Sequence, residues 1–163
     1  MRKIILGLGI SLDGYIARPD GAVDFLFMPK DYSMGPFFKT IDTAFMGRKT
    51  YEVALRMGGG SAGSPGITSY VFSRKLPAGE RDGLICVNDA PKKVAAMVRK
   101  RKGKNIWLMG GGELGRDFLK EDLVDELYIG VVPVLIGEGF PFFLAGFRSG
   151  SFGCSRTKHF RGE

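Results

Sequence analysis

The stretch NIWLMGGGELG, residues 105–115, sets an apolar run against three consecutive glycines and then a polar, helix-forming segment. It reads as a strand, a tight turn and the start of a helix. Gly110, Gly111 and Gly112 carry no Cβ, so backbone can approach a bound group there. The first turn of the following helix offers unpaired N–H groups and a partial positive charge. A phosphate or pyrophosphate suits such a turn, although close packing of the helix on the sheet would also explain the glycines.

Outward from this junction, strands and helices alternate. Upstream, residues 3–12 form an almost wholly apolar strand, expected for a central position covered on both faces. Asp13 and Gly14 turn out of it, residues 15–17 continue, and a loop carries the turn pair Asp20 and Gly21. A short helix over 34–41, a strand over 43–46 and a helix over 50–57 follow, the last with Tyr51, Ala54 and Leu55 on one face. GGGSAGSPG, residues 58–66, reads as a flexible surface loop. Strands are expected over 69–72, 83–87, 124–132 and 152–160, and a helix over 113–120. Another helix spans 89–103, with Asn88 or Asp89 as cap, Pro91 in its first turn, Val94, Met97 and Val98 inward and Gly103 as stop. The alternation predicts an α/β fold with a mostly parallel central sheet, helices on both faces and an antiparallel C-terminal edge, in a single domain over 1–163.

Composition narrows the function classes. The chain has 163 residues, 44% hydrophobic and 25% charged, with 25 glycines and a formal net charge of +7. Arg99, Lys100, Arg101 and Lys102 would fall in the last turn of their helix, where cations complement the helix dipole. No aromatic interleaving accompanies them, which argues against a nucleic-acid patch. Cys86 and Cys154 have no metal-ligand spacing and read as free, buried thiols in a reducing compartment. His159 is the only histidine, so no metal site is predicted. The start MRKIILGLGI is too short and glycine-broken for a secretory signal, and no stretch reaches the roughly 20 apolar residues of a membrane span; a cytoplasmic protein is expected.

Residues 110–115 match GxGxxG, yet the acidic residues that follow, Asp125 and Glu126, open the next strand, the wrong end for holding a ribose. Two further strand ends offer anion donors: Gly47, Arg48, Lys49 and Thr50 at one, Ser73 and Arg74 at the other. Ligands of open α/β sheets collect outside such carboxyl ends. One ligand with several phosphates, such as a nicotinamide dinucleotide bearing a 2′-phosphate, would touch all three sites.

In order along the chain, SLDGYIA, MGRKTYE, FSR, IWLMGGGEL and DELYIGVVPVLIGEGFPFF resemble the dihydrofolate-reductase-like superfamily. The chain looks closest to small proteins related to the reductase domain of bifunctional riboflavin-biosynthesis deaminase-reductases. The resemblance implies NADPH as hydride donor. It places Ile16 and Ala17 beside the nicotinamide, Gly47, Arg48, Lys49 and Thr50 at the phosphate region, and Ser73 and Arg74 toward the 2′-phosphate. Gly110, Gly111, Gly112, Glu113 and Leu114 would meet the pyrophosphate. The implied activity is hydride transfer to a C=N or C=O of a small heterocyclic or ribosylated substrate. The alternative is a non-catalytic nucleotide- or RNA-binding protein using its basic surface.

Departures from the pattern matter. Met109 stands where the riboflavin reductases carry an acidic substrate-binding residue. The carboxylate that dihydrofolate reductases place beside the pterin has Asp31 as its nearest counterpart, with Asp24 second, and Asp31, Tyr15 or water would supply the proton. Asp31 would need burial to raise its pKa. Asp13 reads as a structural turn residue. After Phe160 the family usually has a further strand, whose absence would leave an edge for another chain. Phe140, Phe142, Phe143 and Phe147 offer apolar surface for a homodimer, or ordinary core.

Overall fold

The strand read from the opening residues is β1 (Ile4–Ser11), whose Ile4 and Leu6 are fully buried. The computed structural model describes residues 1–56, 66–81, 83–142, 152–154 and 156–158. After β1 come β2 (Tyr15–Ala17), α1 (Gly35–Phe38), β3 (Ile41–Gly47), α2 (Arg48–Arg56), β4 (Thr68–Phe72), β5 (Gly79–Arg81), β6 (Leu84–Val87), α3 (Pro91–Arg99), β7 (Asn105–Met109), α4 (Gly112–Lys120), β8 (Glu126–Val132) and β9 (Phe140–Pro141).

Seven strands form one sheet in the order β5-β6-β4-β3-β7-β1-β8. Every neighbouring pair is parallel except β5 with β6. The antiparallel pairing toward the C terminus is a separate two-stranded ribbon of β2 with β9, while β8 runs parallel to β1. Phe45, Ile106, Leu108 and Phe118 anchor the core under α3 and α4, and the opposite face packs Met46 and Val71 near α2 and Ile5 and Trp107 near α1. Each such buried side chain contributes about 1.5–3 kcal/mol of apolar transfer.

Several expected boundaries shift for physical reasons. The helix expected over 34–41 is only α1, because the Thr40 hydroxyl and amide both bond to the Phe37 carbonyl and close the turn. α3 is capped by Ala90, not by Asn88 or Asp89. Asn88 instead donates to the Ser73 and Leu76 carbonyls, and Asp89 pairs with Lys93. α3 ends at Arg99, so Lys100, Arg101 and Lys102 lie beyond its last turn, and Ala95, not Met97, joins Val94 and Val98 inside. α2 starts at Arg48, and Leu55 faces solvent at 44% exposure. β5 was not anticipated. Of the strand expected over 152–160, the described residues 152–154 and 156–158 pair with no strand, so Cys154 is exposed where burial was expected, while Cys86 on β6 is buried. Residues 58–65 of the glycine-rich loop lie outside the described residues, as do Phe143, Phe147, His159 and Phe160.

Candidate active site

The parallel sheet brings the carboxyl ends of β4, β3, β7 and β1 side by side. At β7, Gly110 (φ 52°) and Gly111 (φ 83°) occupy the left-handed region, so the strand turns into α4 with backbone that L side chains rarely adopt. Gly111 is the N-cap and supplies no side chain, which leaves the first N–H groups of α4 without a side-chain cap. A Cβ on Gly111 would stand 3.3 Å from the Thr50 hydroxyl oxygen, whereas one on Gly110 would meet nothing within 4 Å. The glycine turn and the start of α2 are therefore adjacent.

Lys49 continues this contact in another direction. Its Nζ lies 5.9 Å from the centre of the Phe140 ring on β9, and β9 is paired with β2, Ala17 opposite Phe140. Ile16, Ala17, Phe140, Lys49, Thr50 and Gly111 thus form a continuous line of contacts from the β2 ribbon to the glycine turn. Gly139 makes the ribbon possible: a Cβ there would collide with the Ala17 carbonyl oxygen.

The remaining candidate side chains are partly committed to the protein. Arg48 is paired with Glu52 one helical turn on. The Ser73 hydroxyl accepts the amides of Lys75 and Leu76, both at 3.0 Å, and so shapes the turn after β4. Arg74 is exposed in that turn. Gly112 and Glu113 open α4, Glu113 exposed, while Leu114 is buried in the core and could offer a ligand only its backbone.

On the α1 side of the sheet the wall is uncharged. Gly7 and Gly9 of β1 lie opposite Tyr128 and Gly130 of β8. The Trp107 indole donates to the Gly7 carbonyl at 2.9 Å, and a Cβ on Gly9 would stand 2.9 Å from a methyl of Leu26. Phe37 stacks on Tyr128 at 4.8 Å, and the Tyr128 and Tyr32 hydroxyls are 3.0 Å apart. Burial, reinforced by that contact, raises the Tyr32 pKa and keeps the phenol protonated.

The expected acids are placed plainly. Asp31 is exposed and not enclosed in a cleft. Asp24 is held below the usual carboxylate range by its hydrogen bond from Arg18 at 2.6 Å. Asp13 accepts the Ser11 hydroxyl at 2.6 Å and the amides of Gly137 and Ile136, which together lower its pKa, Ser11 most. Its role as a turn residue extends to pinning a distant loop. Asp125 and Glu126 sit at the opposite end of the sheet, where they bond Ile4, Arg99 and Lys3. Sequence reasoning missed Phe140 and Gly139 as parts of this site; the two glycines flanking Glu138 were the available signal.

A family model, the RibD C-terminal domain, matches residues 2–159. The chain belongs to the RibD C-terminal domain family. Relatives of this RibD C-terminal domain include two Bacillus subtilis (strain 168) proteins. It is 37% identical to uncharacterized protein YwjB over 150 residues, covering 87% of this chain and 83% of that protein. It is 32% identical to uncharacterized protein YyaP over 153 residues, covering 88% and 81%. A putative riboflavin biosynthesis protein from Shewanella sp. PV-4 superposes with a TM-score of 0.78 at 30% identity, covering 97% of this chain and 92% of that one. A Thermotoga maritima diaminohydroxyphosphoribosylaminopyrimidine deaminase/5-amino-6-(5-phosphoribosylamino)uracil reductase superposes over 91% of this chain and 49% of its own, with a TM-score of 0.68 at 14% identity, a likeness of fold. The RibD C-terminal domain here is thus a reductase-like α/β domain. No helix among the described residues is long and apolar enough to cross a membrane.

Proposed function

We propose that the protein is an NADPH-dependent reductase acting on a C=N or C=O bond of a small heterocyclic or ribosylated substrate, in the manner of pterin or riboflavin precursors. The observation that carries this reading is the line of contacts joining Ala17, Phe140, Lys49, Thr50 and Gly111 across the carboxyl ends of the strands. It has fitting chemistry at each end: apolar β2 backbone for a nicotinamide, glycine backbone and helix N–H groups for a pyrophosphate. The open space at Gly110 and the Cβ-free approach to Thr50 fit such a ligand.

In this reading Gly110, Gly111, Gly112, the Glu113 and Leu114 backbone and Thr50 hold the pyrophosphate. Gly47, Arg48 and Lys49 face the phosphate region, Ser73 and Arg74 the 2′-phosphate, and Ile16 and Ala17 the nicotinamide. Bound there, NADPH would supply a hydride to the substrate carbon. The chain's own contribution is orientation and exclusion of water. Gly7, Gly9, Trp107 and Tyr128 form an uncharged wall that Leu26 and Phe37 already cover in part, and Met109 leaves that side without the acid of the riboflavin reductases. With Asp31 exposed and Asp24 held ionised, water or Tyr15 is the better proton source. A cytoplasmic homodimer, with the 46%-exposed Phe140 near its contact, completes the proposal.

Titrating NADPH and NADH against the protein by cofactor fluorescence tests this directly. Micromolar NADPH binding with weaker NADH binding is expected. If neither binds below millimolar concentration while RNA does, the reductase reading is lost to the RNA-binding alternative.

A further inference from the structure

The basic run at 99–102 takes no part in the site above, because it lies at the opposite edge of the sheet. There the amino ends of β3, β4 and β7 meet the end of α3 and enclose two adjoining cavities. One, of about 210 Å³, is lined by Arg2, Asp42, Thr43, Thr68, Tyr70 and Arg101 among others. The second, of about 370 Å³, includes Arg99, Gly103 and Asn105. Arg2, Arg101 and Lys102 line both.

The charges here divide into spent and unspent. Buried Arg2 is consumed by Asp42, by the Thr43 hydroxyl at 2.6 Å and by the Lys104 and Val98 carbonyls. Asp42 is consumed in turn, since it also accepts the Lys104 amide at 2.7 Å and the Thr43 hydroxyl at 2.9 Å. Arg99 is consumed by Asp125 and the Leu123 carbonyl. Arg101 and Lys102 are different: neither pairs with a described carboxylate. Arg101 is nevertheless fixed in place, because one guanidinium nitrogen donates to the Tyr70 hydroxyl at 2.9 Å and Tyr70 is itself 1% exposed. A buried phenol therefore holds an exposed guanidinium that lines both cavities, with Lys102 lining both as well and Thr68 the smaller one.

We propose that this edge is a second binding site, for a small phosphate-bearing anion, in which Arg101 and Lys102 supply the charge and Thr68 a hydroxyl. A guanidinium fork beside an ammonium and a hydroxyl matches the tetrahedral oxyanion better than a planar carboxylate. The Thr68-lined cavity, at about 210 Å³, falls below the size of drug-sized ligand pockets, which favours one or two phosphates over a whole dinucleotide. The lining of both cavities presents no exposed aromatic ring, as Tyr70 is buried, so a stacked nucleic-acid strand finds no platform.

The probe is inorganic pyrophosphate, titrated calorimetrically into the full chain at low salt, with an oligoribonucleotide series as a parallel arm. The double variant Arg101→Ala/Lys102→Ala should lose at least about tenfold in pyrophosphate affinity, as expected for removed charge-assisted hydrogen bonds. Tyr70→Phe, which keeps the ring and removes the anchor of Arg101, should lose a few-fold. Lys93→Ala, which removes an exposed cation of α3 that pairs with Asp89 and lines neither cavity, should retain wild-type affinity. No measurable pyrophosphate binding, or a loss in Arg101→Ala/Lys102→Ala no greater than in Lys93→Ala, would overturn the proposal. So would affinity that grows steadily with oligonucleotide length while pyrophosphate fails to bind, which would make the edge a nucleic-acid surface. Circular dichroism of each variant separates lost binding from lost fold.

Discussion

The Thr50 hydroxyl oxygen lies 3.3 Å from the point where a Cβ on Gly111 would stand, so the start of α2 closes directly on the turn that follows β7. Gly111→Val places a branched side chain in that gap and on a left-handed backbone, at a cost of about 1–2 kcal/mol for the backbone alone. NADPH affinity is expected to fall at least tenfold while the cofactor-free protein still folds. Cofactor titration beside urea denaturation checks both halves; unchanged affinity would move the pyrophosphate elsewhere.

Arg74 is exposed in the turn after β4, one residue beyond the Ser73 hydroxyl that organises that turn. Arg74→Ala should weaken NADPH by about ten- to a hundredfold, the worth of hydrogen bonds to a charged group. NADH should change little. Equal weakening of both cofactors would show that the 2′-phosphate lies elsewhere.

Asp13 carries a lowered pKa because its carboxylate accepts the Ser11 hydroxyl and the amides of Ile136 and Gly137. A depressed folded-state value means the carboxylate stabilises the fold above its unfolded value, near the ordinary 3.8. That contribution disappears as pH falls through the lowered folded value. The difference in Tm between the wild type and Asp13→Asn should therefore be constant from pH 8 to pH 5 and shrink below about pH 4. A difference independent of pH down to 2 would contradict the assignment.

Gly139 lies where any Cβ would collide with the Ala17 carbonyl. Gly139→Ala should cost about 1–3 kcal/mol, as overpacking does elsewhere, and should part the β2–β9 ribbon. Hydrogen exchange at the Phe142 amide, which donates to the Gly14 carbonyl at 2.9 Å beside the ribbon, should speed up while the amides of β3 and β7 keep their protection. Uniform acceleration would mean the substitution acts on the whole domain.

Light scattering coupled to size exclusion should give the mass of a homodimer. Phe140→Ser should shift it toward monomer without unfolding the chain. A wild-type monomer removes the dimer from the proposal.

The central sheet was legible because its strands are apolar runs bounded by glycines and turn residues, as in β1 and β7. β5 and β9 were not, since Gly-Glu-Arg and Phe-Pro acquire strand character only from the partner each one meets. The caps misled for a related reason: Asn88 is a good helix starter locally, but the turn after β4 claims its side chain. At the candidate site, glycines and cations showed as residue types. Their prior commitments, such as Arg48 to Glu52, depend on rotamers that spacing does not fix. Phe140 stood out only as an apolar residue, because its contact with Lys49 joins positions far apart in the chain.

Trp107 is the one tryptophan in the chain, and its indole is bonded to the Gly7 carbonyl and ringed by Phe37 and Phe38. It sits on β7 three residues before Gly110, about 10 Å along the strand. The molecule therefore carries its own optical gauge: a single emitter of fixed orientation beside the turn, whose light a dihydronicotinamide would absorb. Occupancy of one end of the sheet can be read in the unlabelled protein, without the ambiguity that several emitters would bring.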